Sequence, residues 1–172
     1  VINRSIKGLA FILLCSLSLG ASALPDDRNQ PIHISANSAM IDEASGHTIY
    51  RGNVIIKQGS ILIEGETLEL QRGNDGVESI KAKGEPAHFR QQTSKGGPYS
   101  DAYGSTILYM VEKDLLTVTE KAKVINDKDT FSGEKIVYDL KRSIVDAFGD
   151  KDETASGGRI QMVIQPKKKE TE

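Results

Sequence analysis

The chain has 172 residues, with 22 Lys+Arg against 24 Asp+Glu, a formal net charge of −2, one cysteine and no tryptophan. That balance leaves no basic excess to hold nucleic acid by counterion release, and a lone cysteine excludes a disulfide framework within the chain. A chain of this length can bury one self-sufficient core.

Arg4 and Lys7, the apolar run Leu9 to Leu19 and the small residues Ala21-Ser22-Ala23 have the three zones of a secretory signal peptide. The run is about half the roughly 20 apolar residues a membrane-spanning helix needs. Residues 1–23 are therefore expected to be removed on export. They carry two basic groups and Cys15, so the remaining 149 residues hold 20 basic and 24 acidic side chains and no cysteine. Residues 24–29 read as a flexible lead-in, 30–165 as one β-domain and 166–172 as a disordered tail.

From Ile32 to Gln165 apolar and polar residues alternate in short bursts separated by Gly, Asn and Asp, the pattern of half-buried strands. Segments such as Ile61-Leu62-Ile63-Glu64 and Lys135-Ile136-Val137-Tyr138 are rich in β-branched residues. Glu112 to Leu116 reads as a turn between two strands, and Gln91 to Ala102, with Gly96-Gly97-Pro98, as a long turn-rich loop.

One unit recurs four times. A small residue is followed three positions later by an apolar residue, and two positions after that by another: Ala36/Ala39/Ile41, Gly65/Leu68/Leu70, Gly104/Ile107/Tyr109 and Gly133/Ile136/Tyr138. Residues 36–70 map onto 104–138 without a gap at an offset of 68. Each copy then turns and returns as a second strand, ending at Gly52, Gly84, Glu120 and Gly149. A spacing of two puts both apolar residues on one face of a strand. Each copy is thus a hairpin with one apolar face, and the copies must stack or fold over one another to hide it. The slim Ile, Val and Leu side chains suit a flattened sandwich or a long open groove.

Such a stack leaves an edge at each end. The first strand contains Ile32 and Ile34. The last, Arg159 to Gln165, has Ile160, Met162, Val163 and Ile164 and no charge after Arg159. Pairing of these edges between copies is head-to-tail and builds open filaments; the alternative is that the tail covers the last strand.

Nothing marks a catalytic site. His33, His47 and His88 lie far apart without ligand spacing, so they read as surface imidazoles and no metal or other cofactor is expected. No G-x-S-x-G elbow supports a nucleophile. The acidic residues Glu64, Glu66 and Glu69 read as charge alternating along a strand rather than as a glycosidase pair.

Three segments carry a resemblance: Gln30-Pro31-Ile32-His33-Ile34, Tyr50-Arg51-Gly52-Asn53-Val54-Ile55-Ile56-Lys57-Gln58-Gly59 and Gly84-Glu85-Pro86-Ala87-His88-Phe89. In order and spacing they resemble the OstA-like family of periplasmic lipopolysaccharide-transport bridge proteins, over nearly the whole chain after the signal. The resemblance implies a β-jellyroll, a bent sheet with an apolar interior open at both ends. It implies a non-enzymatic protein that joins end to end, linking inner-membrane and outer-membrane components of the transport machinery. Acyl chains would run inside and sugars outside, with Ile32, Ile34, Phe89, Tyr109 and Val111 on the lipid. Without it, those side chains read equally as ordinary core. Two other readings remain: an inner-membrane-anchored member of the same family with an uncleaved leader, and a secreted structural β-repeat protein. Thr119-Glu120-Lys121-Ala122 departs from the Gly-Asn-Val pattern of the first copy, and Asp150 to Glu153 has no role in the resemblance.

Overall fold

The computed structural model describes residues 27–150 and 158–166. The signal peptide expected at 1–23, most of the acidic segment 150–153 and the tail beyond 166 lie outside them. Ten strands make one antiparallel sheet: β1 (His33–Ser35), β2 (Ser38–Asp42), β3 (His47–Gln58), β4 (Ile61–Gly73), β5 (Gly76–Gln92), β6 (Tyr99–Met110), β7 (Leu115–Asn126), β8 (Asp129–Asp139), β9 (Ile144–Phe148) and β10 (Gln161–Val163). The order is β1-β3-β4-β5-β6-β7-β8-β10, with β2 also on β3 and β9 also on β8.

From β2 to β9 successive strands pair through short connections, as alternation broken by turn residues demands. The long loop expected over Gln91 to Ala102 is strand at both ends. β5 runs through Gln92 and β6 begins at Tyr99, leaving only residues 93–98 outside the ladder. The Thr93 N–H donates to the Pro98 carbonyl at 3.2 Å and the Gly97 N–H to that of Ser94 at 2.9 Å, so the polar residues pair among themselves.

The strands are longer than the repeat suggests, because each runs through the copy boundary and bends there. The ladders lose register between Arg51 and Val54 in β3, Glu64 and Thr67 in β4, Lys83 and Ala87 in β5, Tyr103 and Thr106 in β6, and Thr119 and Ala122 in β7. These irregularities are neighbours from strand to strand and make one crease across the sheet, since a bulge bends its strand and strengthens the twist. The small residues of the repeat sit on the crease. A Cβ on Gly65 would lie 2.8 Å from the Lys83 carbonyl oxygen, so a side chain there has no room. Gly52 and Asn53 have φ of 79° and 47°, and Glu120 and Lys121 repeat the pair at 62° and 57°. The departure at Glu120 is therefore one of composition, with the same left-handed geometry held at greater strain.

The crease folds the sheet into two facing leaves. Phe89 pairs with Ala102 on β6, seven residues from Tyr109, about 23 Å along a flat strand. Yet the Phe89 and Tyr109 ring centroids are 5.2 Å apart. One leaf carries β1 and β10 at its ends, the other β2 and β9, in the bent-sheet form of a β-jellyroll.

The terminal edge is shorter than its sequence suggests. Of Arg159 to Gln165 only Gln161–Val163 form a strand, against Thr130–Ser132 of β8. β9 takes the other half of β8, Lys135 to Asp139, because the bend divides that strand between the leaves. Both edges thus end in two short strands.

Candidate functional site

The inner faces of the leaves form the one continuous apolar surface of the described residues. Core side chains include Val54, Ile63, Leu68, Ala82, Ile107, Val118, Val124 and Ile136, all buried, on strands from β3 to β8. Eight strands at about 4.8 Å spacing make this interior roughly 34 Å long. Ala82, Ala87, Ala102 and Ala122 lie beside the crease with the branched Val54, Leu68, Ile107 and Val118, while Phe89, Tyr109 and Tyr138 lie farther along their strands, all nineteen core side chains forming one cluster. The interior is a wedge in the sense that the leaves join at the crease and end at the rim where the turns of both leaves lie.

The residues singled out in the sequence divide between this interior and its two mouths. Phe89 and Tyr109 are 1% and 2% exposed and meet at the centre, where the trough is filled by its own side chains. Ile32 and Ile34 pack against that core at the amino-terminal mouth, half-buried. Ile32, Val77 and Val111 line a rim groove of about 450 Å³. Ile160, Met162, Val163 and Ile164 are exposed, at 47 to 66%, beside a wider opening of about 920 Å³ lined by Ala147, Phe148, Arg159 and Ile160. The structure thus places the two proposed self-association sets at opposite ends of the sheet. Met162 pairs with Phe131, itself opposite the inward Val124, so Met162 continues the inner face and Val163 the outer one. In the first copy Ile41 is likewise on the inner side, opposite buried Thr48. It is 59% exposed because β2 is an edge with no leaf beyond it.

Polar groups close the rim, and no period in the sequence marks them. Ser100 and Tyr138 hydroxyls are 3.3 Å apart, and Ser100 Oγ donates to Asn126 Oδ1 at 3.0 Å. Tyr138 is the repeat equivalent of Tyr109, a signal that was available. Tyr109 Oη donates to Asp114 Oδ1 at 3.3 Å, and burial first, then the Asp114 charge, pushes its phenol well up. In the lead-in, Asp27–Asn29 form a short 3-10 helix. Arg28 Nη2 reaches Asp114 Oδ1 at 2.5 Å, a hydrogen bond that raises the guanidinium pKa. Asp27 is 4% exposed and accepts from Ser60 N and Ser60 Oγ, each at 2.7 Å.

On the outer face of β4, β5 and β6, His88 is more than a bare surface imidazole. Its Nδ1 lies 2.9 Å from Glu64 Oε2 and its Nε2 2.7 Å from Asp101 Oδ1, and its ring stacks on Tyr103 at 4.5 Å. Arg90 Nε donates to Asp101 at 2.8 Å. Burial opposes ionisation of Asp101, but the hydrogen bonds from Arg90 and His88 outweigh it and hold its carboxyl below the usual range. His33 is exposed on the outer side. Among the described residues no group of three His, Cys, Asp or Glu side chains is placed to hold a metal ion.

A family model described as "LptA/(LptD N-terminal domain) LPS transport protein" matches residues 33–144. The chain is similar to the lipopolysaccharide export system protein LptH of Pseudomonas aeruginosa, 41% identical over 172 residues, 96% of this chain and 98% of that one. It is 32% identical to the lipopolysaccharide export system protein LptA of Escherichia coli K12 over 155 residues, 89% of this chain and 80% of that one. The crystal structure of LptH from Pseudomonas aeruginosa, described as the LptA-homologous periplasmic component of the lipopolysaccharide transport device, matches with a TM-score of 0.76. That match covers 83% of this chain and 100% of the other at 41% identity.

Proposed function

This chain belongs to the LptA and LptD N-terminal-domain family of lipopolysaccharide transport proteins, and from that premise we propose that it carries lipopolysaccharide across the periplasm as one protomer of a head-to-tail bridge. The signal peptide, residues 1–23, is removed on export. The acyl chains lie between the leaves, against Ile32, Ile34, Phe89, Tyr109 and Val111, and the sugars stay outside. Each buried methylene contributes about 0.8 kcal/mol, so several chains hold firmly without a polar anchor, and a smooth path lets them move on. The protein acts without catalysis and without a cofactor.

The observation that carries this reading is where the exposed apolar residues are. Nine large hydrophobic side chains are exposed among the described residues, and eight of them are on β2, β9, β10 or its flanks: Met40, Ile41, Ile144, Phe148, Ile160, Met162, Val163 and Ile164. Apolar surface confined to the two edges of a sheet favours edge-to-edge stacking of copies. Stacking also joins the interior of one copy to that of the next, because Ile41 and Met162 continue its inner face at either end. The same edges suit the inner-membrane and outer-membrane components that would terminate the bridge.

A photo-crosslinking amino acid tests the lipid path. Placed at Phe89 or Tyr109 it is expected to capture lipopolysaccharide in cells, and placed at His33 it is not. Equal capture at all three positions would contradict an inward path.

A further inference from the structure

Resting on that reading, we propose that Asp27 and Arg28 form a clasp that sets the separation of the two leaves and so controls how fast an acyl chain enters the trough. The wedge is filled at its centre by Phe89 and Tyr109, and close-packed interiors leave no voids the size of a hydrocarbon chain. Admission therefore requires the leaves to part at the rim, with the crease as hinge. The segment 27–32 crosses that rim and is tied to both sides of it.

On one leaf Asp27 holds the start of β4 and the end of β5. It accepts from Ser60 N and Oγ at 2.7 Å each and from Gln91 Nε2 at 3.3 Å. Its seat is built into the turn, since a Cβ on Gly59 would collide with the Asp27 carboxylate. Gln58 Nε2 adds bonds to the Arg28 and Gln30 carbonyls at 3.2 and 3.1 Å. On the other leaf Arg28 pairs with Asp114 in the β6–β7 turn. Asp114 also accepts from Tyr109 Oη, whose ring packs against Phe89. A chain of direct contacts thus runs from the clasp to the two rings an acyl chain must displace. Asp27 is buried and fully used, whereas Arg28 is 45% exposed, so the Arg28 end is the one that opens. Asp27 and Arg28 act here as positioning residues.

The test uses nitroxides on Lys95→Cys and Lys113→Cys, one on each leaf at the rim, in the chain without residues 1–23, which has no other cysteine, with wild type, Arg28→Ala and Arg28→Lys compared. In lipid-free protein Arg28→Ala is expected to shift the interspin distances to longer values. It should also raise the rate at which purified lipopolysaccharide reaches a crosslinker at Phe89 by about threefold, the weight of one partly exposed ion pair. Arg28→Lys should restore most of both. Asp114→Asn, which removes the partner instead, should repeat the Arg28→Ala result. Unchanged distances and rates in both variants would overturn the clasp. The lipid reading fails separately: wild type would then capture no lipopolysaccharide, while the lipid-free distances would still report on the clasp.

Discussion

Replacing Gly65 by alanine and Glu120 by glycine perturbs the crease in opposite directions. At Gly65 the new Cβ would sit 2.8 Å from the Lys83 carbonyl oxygen and 3.2 Å from Leu68 Cδ1. The nearer contact is backbone on the adjacent strand, so the ladder itself must shift, a cost of about 2 kcal/mol for an overpacked site. At Glu120, φ is 62° and the side chain is exposed, so glycine relieves about 1–2 kcal/mol of left-handed strain. It gives back about 0.5–1 kcal/mol through the freer unfolded chain, a net gain of about 0.5–1 kcal/mol. With an unfolding entropy of about 2.1 cal/mol/K per residue, a β-domain of this size loses about 7 °C of Tm in Gly65→Ala and gains about 2–4 °C in Glu120→Gly. Calorimetry on the two variants reads both signs. A neutral Gly65→Ala together with a destabilised Glu120→Gly would refute a tight, left-handed crease.

Two further perturbations reach the edge and the outer face. Met162→Glu puts a charge on the inner side of β10, where Met162 is 51% exposed, so the rise of average mass with concentration in sedimentation should be suppressed; an unchanged rise would remove this strand from the contact. Asp101→Asn should lower stability at pH 7 by about 1 kcal/mol, a value discounted for the solvent around Arg90. The Asp101 carboxyl is held below its ordinary value of 3.8, so its contribution is present at neutral pH and disappears as the pH falls through that lowered value. Thermal unfolding between pH 7 and 3 should therefore show a shallower acid decline in Asp101→Asn than in wild type, and parallel declines would contradict the assigned role.

The all-β class, the inner-face positions and a turn between β6 and β7 were legible because they depend on period-two alternation and short-range turn chemistry, although that turn occupies residues 111–114 and Leu115 and Leu116, expected in it, already belong to β7. Ile107 with Tyr109 and Ile136 with Tyr138 fall inside as the repeat requires. The crease was not legible. Glycine in an alternating pattern reads as a strand end, and only cross-strand register shows that Gly65, Gly104 and Gly133 bend strands that continue. The same bend explains why the terminal strand is shorter than its apolar run. The His88 network needs the β4-β5-β6 register before Glu64, His88 and Asp101 become neighbours. Asp27 had no periodicity to mark it, and its partners Ser60 and Gln91 are 33 and 64 residues away.

Transport through this fold places hydrocarbon between the leaves. Methyl NMR with lipopolysaccharide carrying a nitroxide on an acyl chain tests it through side chains adjacent in sequence but opposite in facing. Ile63 and Ile107 are buried on the inner side, and Leu62 and Leu108 alternate to the outer one. The methyls of Ile63 and Ile107 should broaden while those of Leu62 and Leu108 stay sharp. Broadening of Leu62 and Leu108 as strong as that of their inner neighbours, or broadening confined to Ile41 and Ile164 at the edges, would contradict an interior lipid path.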